Sequence, residues 1–107
     1  MEEQLTRSII MLVEEWGQHP CTINDGGCDT FAKAIKDMVP EVETMWGDEI
    51  SGKFPELFHD FLGEHCFIRL NDKYYDAEEP EGVKRPDSLP YYQRLERIIL
   101  DKSQKTW

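Results

Sequence analysis

Among the three cysteines of this 107-residue chain, Cys28 is the one placed for chemistry. Gly26-Gly27 precedes it, and Phe31, Ala34, Ile35 and Met38 follow at helical spacing, so Cys28 stands at the start of a predicted helix. A helix start presents unpaired N–H groups and the positive end of the dipole, and both favour thiolate over thiol. The same N–H groups can hold the oxyanion of a tetrahedral intermediate. The two glycines let the chain turn sharply and leave the sulfur uncovered. Serine, threonine or asparagine is the usual cap. Taken alone, the cysteine is better explained as a small buried residue.

His65 and Asp76 supply the partners that a nucleophilic cysteine needs. Cys66-Phe67-Ile68-Arg69-Leu70 and Lys73-Tyr74-Tyr75-Asp76-Ala77 are two β-rich runs around Asn71-Asp72, a two-residue hairpin turn. With that turn, Leu70 faces Lys73, His65 lies opposite Glu78, and Asp76 is the diagonal neighbour of His65 on the same face, roughly 7–8 Å away along the backbone. An aspartate there can fix the tautomer of the imidazole and stabilise its charged form. Cys66, Ile68, Leu70, Tyr75 and Ala77 form the opposite, apolar face. A three-residue turn would reverse the parity and separate the pair. Glu78 is the competing acid. It lies where Glu79-Pro80 is expected to end the pairing, since proline cannot donate to a ladder.

A cysteine heading a helix, a histidine opening a strand and an acid closing the next strand together resemble the papain-like superfamily, in particular its transglutaminase-like and N-acetyltransferase-like branches. Gly26-Gly27-Cys28-Asp29-Thr30-Phe31-Ala32 and the stretch from His65 to Ala77 look like the Cys and His/Asp motifs of small bacterial and phage members. The resemblance spans about residues 22–80. It implies Cys28 as nucleophile, His65 as general base and Asp76 as the group that orients it. Papain-type enzymes place an oxyanion-hole glutamine a few residues before the nucleophile. Thr22 and Asn24 occupy that stretch here, so the resemblance implies a supporting role for Asn24, with Gly27 and Asp29 beside the sulfur. The implied activity is that of an amidase, peptidase or acyltransferase working through a covalent thioester on a protein or peptide, without metal or cofactor.

These residues need elements to carry them. Leu5, Ile9, Leu12, Val13 and Trp16 predict a helix from about Glu2 to Trp16, stopped by Gly17. Residues 18–27 read as a loop, and Cys28 to about Met38 as a helix ended by Pro40. Glu41 to Gly52 fits either a loop or a short helix, and Pro55 to Leu62 a short helix. Glu78 to Asp87 reads as a charged loop. Asp87 or Ser88 is placed to cap a last helix bearing Tyr92, Leu95, Ile98 and Ile99. The expected fold is α+β: N-terminal helices, with the candidate cysteine at a helix start, pack on a small antiparallel hairpin or sheet before a C-terminal helix. One domain, 1–107, is the expectation.

Composition narrows the alternatives. A net charge of −10 argues against direct nucleic-acid binding, which needs clustered cations. Ile9 to Val13 is the longest apolar run, too short for a membrane span and unlike a signal peptide, so a cytoplasmic protein is expected. Cys21, Cys28, His65 and Cys66, with His19 and His59, match no compact zinc knuckle, and adjacent His65 and Cys66 point to opposite faces of a strand. Trp16, Trp46, Trp107 and Tyr91-Tyr92 read as core or interface aromatics. Residues 84–107 hold six cations against three acids, so this basic segment is expected to lie on the acidic body. The alternative function is an acidic non-catalytic binding protein, of the kind viral inhibitors use to fill the basic surface of a nucleic-acid-binding partner, carried on a degenerate papain-like scaffold.

Overall fold

A computed structural model describes residues 1–47 and 65–104, with side chains to residue 98. The expected helix from Pro55 to Leu62, His59 and Trp107 lie outside the described residues. Helix α1, Glu2–Trp16, buries Leu5, Ser8, Ile9 and Leu12 on one face. Gly17 stops it in the left-handed region (φ 63°), where its N–H reaches the carbonyls of Val13 and Glu14. Residues 18–27, expected as a loop, contain a one-turn helix α2, Pro20–Asn24. Pro20 presets the helical φ at its first position, and the His19 ring accepts the Cys21 N–H at 3.2 Å. Helix α3, Cys28–Met38, turns Phe31, Ala32 and Ile35 inward. The protein is α+β, with Cys28 the first residue of that helix.

Four antiparallel strands follow, in the order β1 (Glu43–Trp46), β2 (Cys66–Leu70), β3 (Lys73–Asp76) and β4 (Glu79–Val83). The central hairpin has the expected register, with Leu70 opposite Lys73 and Tyr75 opposite Ile68. Asn71 and Asp72 both take positive φ, 52° and 62°, the primed turn whose twist matches the strands. The outer strands correct the sequence reading. Glu43–Trp46, expected as loop or helix, pairs along β2, and the charged loop after Asp76 is instead β4. The chain reverses at Ala77-Glu78, so Asp76 pairs with Glu79 and Glu78 is not opposite His65. Pro80 is tolerated because β4 is an edge strand with one side unpaired.

The sheet is covered on both faces. Cys66, Ile68, Leu70, Tyr75 and Ala77 join α1 and α3 in the main core. The other face, which also carries His65 and Asp76, is covered rather than open: Phe67 and Tyr74 pack with Leu89 and Tyr92 in a second core. Each such side chain, fully buried, contributes roughly 1.5–3 kcal/mol. The covering helix, α4, runs Pro90–Gln104 after a 3-10 turn at Pro86–Ser88. Asp87 does not cap it; its carboxylate is held by Arg85 at 2.9 and 3.0 Å. Among the described residues no helix is long and apolar enough to cross a membrane.

Candidate active site

Cys28, His65 and Asp76 converge where α3 begins, β2 begins and β3 ends. His65 is fully buried, and its Nε2 lies 3.0 Å from Asp76 Oδ2. A carboxylate only accepts, so the network assigns the proton to Nε2. Asp76 Oδ1 is fixed in turn by the N–H groups of Glu78 and Glu79, at 2.9 and 3.0 Å. The reversal at Ala77-Glu78 thus folds the backbone around the carboxylate and points its other oxygen at the imidazole. The backbone of His65 is tied to the end of β1 by the Gly47 N–H, which donates to its carbonyl.

The Cys28 sulfur accepts the N–H of Cys66 at 3.4 Å, so the first residue of β2 holds that sulfur while its own side chain joins the core. Burial pushes the Cys28 thiol up, but the neighbouring His65 imidazole and the Cys66 N–H outweigh it, and the net direction is down from 9.0. Burial pulls His65 down, but Asp76 and then Cys28 outweigh it, and the net direction is up from 6.5. The two groups move toward a thiolate–imidazolium pair. With Nε2 given to Asp76 and no hydrogen-bond partner at Nδ1, Nδ1 is the nitrogen left for the thiol proton.

The predicted supporting residues divide. Asn24 is buried and lines the same cavity as Cys28, but its amide donates to Glu78 Oε1 at 2.9 Å. Gly27 spends its N–H on the Ile23 carbonyl, and a Cβ there would sit 3.4 Å from that same oxygen. Asp29 occupies the first turn of α3, and its charge raises Cys28 slightly against the larger lowering effects. Gly27 brings no capping side chain to α3, so among the described residues no side chain caps the first N–H groups of that helix.

Three contributors escaped the sequence reading. Tyr91, classed there as a core aromatic, stacks on the His65 ring with centroids 4.2 Å apart and planes 17° apart. Tyr92 meets the same ring edge-on at 5.5 Å. Glu78, the rejected acid, receives a bidentate grip from Arg94 at 2.6 and 2.7 Å as well as the Asn24 amide. It thereby fastens α2 and α4 to the turn that holds Asp76. This is also where the basic C-terminal segment meets the acidic body. The Tyr91-Tyr92 pair was the available signal; only the tertiary position of α4 gives it a role.

Among the described residues no group of three or more His, Cys, Asp or Glu is arranged to hold a metal ion. Comparison of the chain with family models, curated proteins and solved structures finds no match.

Proposed function

We propose that this protein is a cysteine-dependent acyl-transfer enzyme, an amidase, peptidase or acyltransferase, acting through a thioester on Cys28. The reading rests on one observation: the buried His65 imidazole is held at Nε2 by Asp76 at 3.0 Å and keeps Nδ1 for the Cys28 thiol. The thiolate attacks the carbonyl carbon of an amide, thioester or isopeptide, forming the C–S bond while the developing oxyanion meets the uncapped N–H groups of α3. The imidazolium returns its proton to the leaving nitrogen or sulfur as that bond breaks. Water or an amine then attacks the thioester, His65 takes its proton, and the C–S bond breaks to restore the thiolate. Asp76 keeps its charge throughout and stabilises the imidazolium.

Incubation with p-nitrophenyl acetate tests this by intact-mass spectrometry. The expected result is one acetyl group on Cys28, formed in a burst of p-nitrophenolate, absent in Cys28→Ala and slowed in His65→Ala. Acetylation spread evenly over the thiols and lysines would overturn the proposal. So would a Cys28→Ala protein with undiminished activity, which would leave the acidic binding surface as the functional feature.

A further inference from the structure

We propose that the cleft beside Cys28 takes a basic peptide, with an apolar side chain seated against α4 and a lysine or arginine side chain directed at Asp25. This rests on the acyl-transfer reading above and names its substrate class. Two open cavities, of about 390 and 400 Å³, share Asp25 and Tyr91 in their walls and so lie side by side, and we treat them as the two halves of one cleft. Cys28 lines one half of it. Tyr91, Leu95 and Ile98, on successive turns of α4, wall the other. Ile98 is 52% exposed, an apolar surface facing water where a substrate side chain would cover it.

Among the described residues, the charges bordering the cleft that lack an ion-pair partner are of one sign. Arg94 borders the apolar half, but its charge is neutralised by the bidentate contact with Glu78. Asp25 and Asp29 border the other half, and neither has an ion-pair partner among the described residues. Asp29 offsets the dipole of α3 from its first turn. Trp46, 40% exposed, lines the same half and offers a ring face that attracts cations. The net charge of −10 draws cations from a distance. His65, fully buried, has no hydrogen-bond partner at Nδ1 among the described residues. That nitrogen is available to the leaving group of a bound substrate.

Four dipeptidyl vinyl sulfones, Leu-Lys, Leu-Glu, Ser-Lys and Ser-Glu, test the assignment. Each adds to Cys28 by forming one C–S bond, and the imidazolium proton passes to the neighbouring carbon, so no group leaves. At low salt the lysine probes are expected to inactivate about fivefold faster than the glutamate probes, as suits an exposed carboxylate. The leucine probes should exceed the serine probes by about tenfold. Asp25→Asn should collapse the first ratio and Ile98→Ser the second. Iodoacetamide carries neither feature and reads the thiol alone. Rapid Cys28 alkylation with equal rates for all four probes, or ratios unmoved by both substitutions, would overturn the basic-peptide assignment and leave acyl transfer standing. A Cys28 inert to every reagent would overturn both.

Discussion

Asp76 commits both carboxylate oxygens, one to the backbone of the turn that follows it and one to His65. Asp76→Asn therefore removes charge from the imidazole without removing the turn. His65, raised in the native protein, falls back, and Cys28 loses the positive neighbour that lowers it. The expected outcome is that the pH profile of Cys28 alkylation moves to higher pH, while acyl transfer falls by about a hundredfold or more. Glu78→Gln should move that profile far less, because Glu78 spends its carboxylate on Arg94 and Asn24 and its charge interaction with His65 is the smallest influence on it. If Glu78→Gln shifts the profile and Asp76→Asn does not, Asp76 is not the orienting acid. The Asp76–His65 pair was legible in the sequence because a two-residue turn fixes strand parity. The stacking of Tyr91 on His65 was not, because it depends on the path of α4 over the sheet.

At the scale of elements, α1, α3 and the central hairpin carry their own local signals: periodicity, a stop glycine and a primed turn. Strands β1 and β4 do not. Glu79-Pro80-Glu81-Gly82 has weak β preference, and β1 is only four residues in an acidic stretch; both become strands because β2 and β3 offer them partners. Gly82 shows how tight that docking is: at φ 81°, a Cβ would fall 2.6 Å from the buried Tyr75 ring. Gly17 has a similar φ with nothing within 4 Å. Denaturant unfolding should therefore find Gly82→Ala costing about 2–4 kcal/mol, from backbone strain plus overpacking, and Gly17→Ala about 1 kcal/mol. Equal costs would mean that Tyr75 yields freely. Glu78 belongs to this scale too. Burial pushes its carboxyl up, but Arg94 and Asn24 outweigh it and the net direction is down from 4.5. Its stabilisation is then fully present above that unfolded value and is lost as pH falls through the lower folded one. Glu78→Gln should cost about 1–2 kcal/mol at neutral pH, limited because Arg94 is half in water, and the deficit should fade in acid.

Across the whole molecule, 22 acidic residues face 12 cations. That excess repels itself, and the self-repulsion weakens with screening. The melting temperature should rise on going from low to moderate sodium chloride; a fall would mean that the ion pairs outweigh the repulsion. The three thiols of the native protein also provide an internal comparison. Cys21 is partly exposed, whereas Cys28 and Cys66 are buried. Access alone therefore ranks Cys21 first. The most direct measurement is the rate of iodoacetamide alkylation at each thiol of the folded protein at about pH 6, read by peptide mass spectrometry, where an unperturbed thiol is almost wholly protonated. The thiolate–imidazolium pair predicts Cys28 ahead of Cys21 by at least about tenfold, with the lead lost in His65→Ala. Cys21 labelling first, or a Cys28 rate indifferent to His65, would contradict it.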